Sequence, residues 1–207
     1  MADEPPIVVV IDDDASVREA IQGLMRSVGI PVRTHGSVDD FFAVGAPTGP
    51  GCLVLDVRMP GQSGLDLQDS LARAGIKAPV IFITGYGDIP MSVRAMKGGA
   101  VEFLSKPFRD QELLDAIQHA IEIDRTRWRR KTQSDAVRQN FEGLTPREKE
   151  VLTQVVTGRL NKQIANEMGV SEITVKIHRG QVMRKMNARS LPDLVRMADR
   201  LGLTPES

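Results

Sequence analysis

Four short runs rich in Val, Ile and Leu, residues 7–12, 52–56, 80–84 and 101–105, recur along the first 121 residues, with a weaker one at 31–34. Each is near-continuously apolar and ends in polar residues or glycine. A strand exposed on one face would alternate; a continuous run fits a strand buried on both. Helical patterns separate the runs, at residues 16–27, 38–43, 64–74, 89–97 and from 110 onward. In the first of these Val17, Ala20, Ile21, Leu24 and Met25 share one face. Strands alternating with helices of this length predict a doubly wound α/β domain, a five-stranded parallel sheet with helices on both sides. No repeat of 20–50 residues interrupts the pattern.

In an open parallel sheet, ligands bind beyond the carboxyl ends of the strands. The first run ends in Asp12-Asp13-Asp14, the third at Asp56 and the fourth at Thr84, while the fifth leads into Lys106-Pro107. Singly, an Asp after a strand is a turn former or helix cap, and a lone Lys is a solvated surface group. As an ordered set at one rim they mean more. Carboxylates gathered there repel one another unless a cation neutralises them. Hard oxygen ligands with room for water and phosphate suit Mg²⁺. A hydroxyl and an ammonium at the same rim supply donors for phosphoryl oxygens. The set therefore reads as a metal-assisted phosphoryl-acceptor site with a carboxylate nucleophile.

The remainder of the 207 residues differs in character. Lys+Arg and Asp+Glu balance at 27 each, yet 16 of the acids and only 10 of the bases precede residue 122. From Leu144 onward 11 bases face 7 acids, a balance that could meet phosphates. No Pro or Gly interrupts residues 110–142, so the last helix of the first domain is expected to continue as a stiff helical linker over 122–143. Within it Arg125, Arg127, Arg129, Arg130 and Lys131 surround Trp128. Such a run is a solvated face with one packed aromatic, or a contact to DNA or a partner.

Four short helices follow, the all-α domain of residues 144–207. Thr145-Pro146-Arg147-Glu148 is a capping box with Pro at the first helical position. Asn161 is expected to cap a helix over 162–168 that Gly169 stops; Ser171 caps the next and Ser190 the last. In the third of these helices Val175, His178, Val182 and Met186 should form the buried stripe. Thr174, Lys176, Ile177 and Gly180 then lie on the other side, with Arg179 and Arg184 flanking. That face suits the DNA major groove, although spacing alone fits an antiparallel helical hairpin equally well.

The strand-end motifs Ile11-Asp12-Asp13-Asp14, Leu55-Asp56-Val57-Arg58-Met59-Pro60-Gly61, Ile83-Thr84-Gly85 and Phe103-Leu104-Ser105-Lys106-Pro107-Phe108 resemble the receiver domain of bacterial two-component response regulators. The likeness covers about residues 6–121 and implies a flavodoxin-like fold for a receiver domain over 1–121. By it, Asp56 accepts a phosphoryl group from a sensor histidine kinase. Asp12, Asp13, Asp56 and the backbone carbonyl of Arg58 hold Mg²⁺, Thr84 and Lys106 contact the phosphoryl group, and Thr84 and Phe103 form the switch. A cis peptide at Lys106-Pro107 is implied too.

Leu144-Thr-Pro-Arg-Glu-Lys-Glu-Val-Leu, Asn161-Lys-Gln-Ile-Ala and Val170-Ser-Glu-Ile-Thr-Val-Lys-Ile-His resemble the LuxR-type helix-turn-helix domain. Together the two likenesses indicate the NarL/FixJ group. Gly85-Tyr-Gly-Asp-Ile-Pro and Glu102-Phe-Leu-Ser-Lys-Pro-Phe point to its FixJ/StyR-like branch. The resemblance implies DNA contacts from Lys162, Thr174, Lys176, Ile177 and Arg179, with Lys176 and Ile177 near bases; Gly180 replaces a basic reader. It also implies a homodimer when phosphorylated, an inverted-repeat promoter site on double-stranded DNA, and contact with RNA polymerase. An aspartyl-phosphate phosphatase commonly needs a second acid two residues after the nucleophile, where Arg58 stands, so no enzyme is expected. A phosphorylation-independent scaffold would not need the five strand-end groups. The acidic start and the lack of a long apolar run predict a cytoplasmic protein with no membrane partner, and a lone Cys52 excludes an internal disulfide or a multi-Cys zinc site.

Overall fold

The structure, a computed structural model, describes residues 5–61, 63–85 and 89–203. The Tyr86-Gly87-Asp88 portion of the motif after the fourth strand lies outside them. The chain divides into two compact units, Met1–Trp128 and Arg129–Ser207.

In the first unit β1 (Ile7–Ile11), β2 (Val32–His35), β3 (Gly51–Asp56), β4 (Val80–Thr84) and β5 (Glu102–Ser105) form one parallel sheet in the order β2-β1-β3-β4-β5. The strand bounds differ by about a residue from those read off the sequence, because pairing rather than composition ends a strand. Successive side chains point to opposite faces. Val9, Ile11, Leu53, Leu55 and Phe82 pack with α2 (Val38–Val44), α3 (Gly64–Arg73) and α4 (Ile89–Lys97). Val8, Val10, Cys52, Val54, Ile81 and Ile83 pack with α1 (Ala15–Ser27) and the first part of α5 (Asp110–Glu142). Two cores thus explain why the central strands carry no polar alternation. Cys52 lies inside the second core, where burial and then the Asp124 charge push its thiol up to about 12. It is an inert packing residue.

Side-chain caps fix where the helices begin. The Asp14 carboxylate accepts from the Ser16 amide at α1, and the hydroxyls of Ser37 and Ser63 cap α2 and α3. The helix that starts at Asp110 continues unbroken to Glu142. Within it Asp124, 2 % exposed, accepts from the Gly51 amide at 2.9 Å, and Trp128 is half-buried.

In the second unit α6 (Pro146–Val156), α7 (Asn161–Met168), α8 (Glu172–Lys185) and α9 (Leu191–Arg200) enclose a core that includes Val151, Leu152, Ile164, Val175, Val182 and Met186. His178 is half-buried at the edge of its stripe. Gly169 ends α7 in the left-handed conformation, φ 65°. The expected cap at Asn161 is not what forms. Leu160 is the N-cap residue, and the Gln163 side chain accepts its amide at 2.8 Å. Asn161 is instead the first helical residue, and its Oδ1 accepts from Arg179 Nη1 at 3.1 Å. A guanidinium brought in by α8 competes for the oxygen that would otherwise cap.

The Thr145–Glu148 capping box forms as expected, with Thr145 N–H donating to Glu148 at 2.7 Å and Glu148 N–H to Thr145 Oγ1 at 3.3 Å. Lys185 Nζ donates to the same carboxylate at 2.7 Å. Lys185, then the Thr145 amide, hold the Glu148 carboxyl below its usual range. A depressed native value contributes stability above the unfolded value, and that stability is lost as pH falls through the ordinary glutamate range and below. Thermal unfolding between about pH 5 and about pH 3 should therefore be steeper in pH for the native chain than for Glu148→Gln.

Candidate functional site

The strands β1, β3, β4 and β5 each deliver one polar group to the carboxyl edge. Asp12 follows β1 and is fully buried; Asp56 ends β3 at 8 % exposure; Thr84 ends β4, fully buried; Lys106 follows β5. Lys106 Nζ lies 2.6 Å from Asp12 Oδ2 and 3.2 Å from Asp56 Oδ2, so a single ammonium joins two carboxylates. Its backbone N–H donates to the Thr84 carbonyl at 2.7 Å, which ties Lys106 to the end of β4. Asp13, exposed, completes a group with Asp12 and Asp56 in which one carboxylate oxygen of each lies within 4.8 Å of the others. The peptide bond Lys106-Pro107 is cis, as the likeness implied.

Burial sets the charges. It raises the Asp12 carboxyl above its ordinary value, against the opposing pull of Lys106 and of the Asp14 amide, which donates to Asp12 Oδ1 at 2.9 Å. Burial pulls the Lys106 ammonium down, but its bonds and proximity to Asp12 and Asp56 outweigh this and leave it above the usual lysine value. Lys106 therefore stays charged. Three carboxylates against one ammonium leave an excess of negative charge that a divalent cation would relieve. The donor set is all oxygen, and octahedral Mg²⁺ at about 2.0–2.1 Å holds its ligand oxygens about 3–4 Å apart, a separation compatible with three oxygens that all lie within 4.8 Å of one another. The acidic cluster of this domain thus fits a hard cation.

Apart from the Lys106 ammonium, Asp56 is seated through the backbone around it. The Arg58 amide donates to Asp56 Oδ1 at 3.2 Å, while the Arg58 side chain is exposed. Ser63 Oγ donates to the Val57 carbonyl at 3.1 Å and the Gly64 amide to the same carbonyl at 3.0 Å, seating the start of α3 against the end of β3. Sequence reasoning did not foresee Arg18, whose Nη1 donates to the Asp12 carbonyl at 2.6 Å from one turn into α1. Nothing in its local spacing singles it out. Phe103 is half-buried on β5, its ring 6.4 Å from that of Phe82, so it packs against the core with part of its surface open.

In the second unit Lys162, Lys176 and Ile177 are exposed, and Thr174 and Arg179 are half-buried. Thr174 Oγ1 lies 2.9 Å from the hydroxyl of Ser171, the cap of α8, and Arg179 is held by Asn161. Lys176 and Ile177 point away from the Val175–Val182–Met186 stripe, on the open side of α8.

Comparison with known proteins places these features in context. Residues 8–118 match the family described as response regulator receiver domain, and residues 142–198 that described as bacterial regulatory proteins, luxR family. The chain is 56 % identical over 198 residues to nodulation protein W of Bradyrhizobium diazoefficiens, covering 96 % of this chain and 87 % of that one. It is 44 % identical over 196 residues to the transcriptional regulatory protein FixJ of Azorhizobium caulinodans, with 95 % and 93 % covered. Its structure is similar to that of the response regulator StyR, at TM-score 0.86 and 47 % identity over 95 % of this chain and 99 % of that one.

Proposed function

Because the chain belongs to the two-component response regulators that join a receiver domain to a LuxR-family DNA-binding domain, we propose that Asp56 is its phosphoacceptor and that the charge placed there controls DNA binding by α8. Lys106 bridging Asp12 and Asp56 at the carboxyl edge of the sheet is the observation that carries this reading. An Asp56 carboxylate oxygen bonds to phosphorus as the P–N bond to a kinase histidine breaks. The ring nitrogen keeps the electron pair, and a proton from solvent restores neutral histidine. Asp12, Asp13, Asp56 and the Arg58 carbonyl would hold Mg²⁺, which supplies positive charge for the transferring oxygens. Lys106 pairs with the phosphoryl group once attached, and Thr84, at the end of the neighbouring strand, donates to it. The domains divide as a receiver over 1–121, a helical linker over 122–143 and a DNA-binding domain over 144–207. The protein is a cytoplasmic regulator, not an enzyme, since Arg58 stands where a hydrolytic acid would be needed. Among the described residues no helix is long and apolar enough to cross a membrane. Acetyl phosphate with Mg²⁺, followed by intact mass, tests the reading: one stable phosphoryl adduct supports it, and turnover without an adduct or no reaction overturns it.

Moving a two-state equilibrium from 1:99 to 99:1 takes about 5.5 kcal/mol, more than the ~1 kcal/mol of one neutral hydrogen bond. Phosphoryl pairing with Lys106, the Thr84 bond and a new dimer contact must act together. As Thr84 moves toward the phosphoryl group, Phe103 turns inward and alters the α4–β5 face, where two receivers then meet. Two recognition helices about one DNA turn apart fit an inverted repeat in a promoter, where RNA polymerase is the next partner. Thr84→Ala should accept phosphate yet dimerise poorly, which light scattering on the phosphorylated chain will read; dimerisation and DNA affinity equal to the native protein's would remove Thr84 from the route.

On the DNA side, Lys176 and Ile177 approach base edges, Lys162 and Arg179 approach phosphates, and Thr174 lies beside them. Lys176→Ala should reduce discrimination between specific and random DNA by about 1–3 kcal/mol. Lys162→Ala should weaken all sequences alike and flatten the salt slope by about one. Binding isotherms at several salt concentrations separate the two, and equal losses on both DNAs for Lys176→Ala would make it a phosphate contact.

A further inference from the structure

The face of α8 turned away from its core is unusually apolar for a solvated helix surface. Ile173 is 73 % exposed and Ile177 58 % exposed, and the two stand four residues apart, one turn along the same side. At 100° per residue that side is opposite Val175 and Val182, both 1 % exposed or less. Lys176, exposed, borders it, and Arg184, also exposed, continues the same side one turn beyond Gly180. Gly180, one turn beyond Ile177, is also exposed, and a Cβ built on it would meet nothing within 4 Å. The fold of this domain therefore gives no reason for a glycine there, although glycine disfavours a helix interior.

We propose that Ile173 and Ile177 read the 5-methyl groups of thymines in the major groove, and that Gly180 lets α8 come close enough for them to do so. The proposal rests on DNA binding by α8 and adds which chemical feature of the bases it recognises. The thymine methyl is the apolar group that the major groove offers, and apolar side chains are its natural partners. β-branched isoleucines on a helix hold essentially one χ1 rotamer, so their methyl surfaces are ordered before DNA arrives. Residues four apart rise about 6 Å along the helix, close to two base steps of about 3.4 Å. The readable thymines should thus lie within about two steps of each other in each half-site. Lys176 at the border and Arg184 at the far end supply the charge that brings this apolar strip onto a polyanion rather than onto another protein surface. Ile173 and Gly180 become specificity determinants in addition to Lys176 and Ile177.

The test uses the phosphorylated full chain and a site obtained by selection from random DNA. Each thymine is replaced in turn by deoxyuridine, which removes the methyl and keeps every hydrogen-bonding group. Burying one methyl less should weaken binding about fourfold at one or two thymines per half-site. Ile173→Ala and Ile177→Ala, both at exposed positions, should each lose sensitivity to one of those replacements, while Lys162→Ala keeps both. Gly180→Ala should raise the melting temperature by about 2–4 °C, since alanine suits a helix better, and yet bind the selected site more weakly. If no deoxyuridine changes affinity, or if the isoleucine variants stay as sensitive as the native chain, methyl reading is wrong while sequence-specific binding stands. If the native chain prefers no selected site over random DNA, recognition by α8 falls with it. Weaker self-association of Ile173→Ala in the absence of DNA, with unchanged DNA affinity, would assign the strip to a protein contact and overturn the proposal.

Discussion

Asp56→Asn will yield a folded chain that acquires no phosphoryl group from acetyl phosphate and Mg²⁺. The carboxamide is neutral, and its oxygen is a far poorer nucleophile than a carboxylate oxygen. Nothing in the neighbourhood takes its place. Asp12 is fully buried, and one of its oxygens is engaged by the Asp14 amide and the other by Lys106. Asp13 is exposed and lacks the backbone seat that the Arg58 amide and the start of α3 give Asp56. The substitution also removes one of three mutually repelling carboxylates, and the asparagine oxygen can still accept the Arg58 amide, so the variant should melt no lower than the native protein. Intact mass after incubation reads the result directly. A single adduct on Asp56→Asn would show that another group is the acceptor.

The second large effect is structural and acts on the same site. A Cβ on Gly64 would lie 2.2 Å from the Asp56 carbonyl oxygen and 3.2 Å from Phe82 Cε1. The first is a backbone atom at the end of β3, held beside Ile83 of β4, and does not give way like the tip of a side chain. Gly64→Ala must therefore push the start of α3 off the end of β3, breaking the Gly64 N–H bond to the Val57 carbonyl and disturbing the seat of Asp56. Overpacking of this kind costs about 1–3 kcal/mol, and a clash with backbone belongs at the upper end. We expect melting of the first unit to fall by about 10 °C and phosphorylation by acetyl phosphate to slow in the protein that remains folded. Unchanged melting and an unchanged rate would mean that α3 can shift freely, and that Gly64 does not position Asp56.

Much of this molecule was legible in the residues, and the boundary of what was legible has a physical origin. Strand and helix periods are local properties, so residues 80–84 and 89–97 were bounded from sequence as the structure bounds them. Caps are local too: Asp14, Ser171 and the Thr145–Glu148 pair act within three residues of themselves. Even the gathering of Asp12, Asp56, Thr84 and Lys106 was foreseeable, because parallel strands send all their carboxyl ends to one edge. Which partner each group then takes was not. The order β2-β1-β3-β4-β5 brings Lys106 across 94 residues to Asp12 and across 50 to Asp56, and the sharing of one ammonium depends on that order. Asp124 reaching the Gly51 amide across 73 residues, and Arg18 reaching the Asp12 carbonyl, likewise depend on how α5 and α1 settle on the sheet. Asn161 shows the same limit as a failed expectation. Its position before a helical run reads as a cap, but Arg179 from α8 claims its oxygen. The sequence by itself determined the elements, their faces and the chemistry assembled at the sheet's edge, because these follow from local period and from parallel strand direction. Only the tertiary structure decided the hydrogen-bond partners and the close approach at Gly64, because those depend on register and packing between segments far apart in the chain.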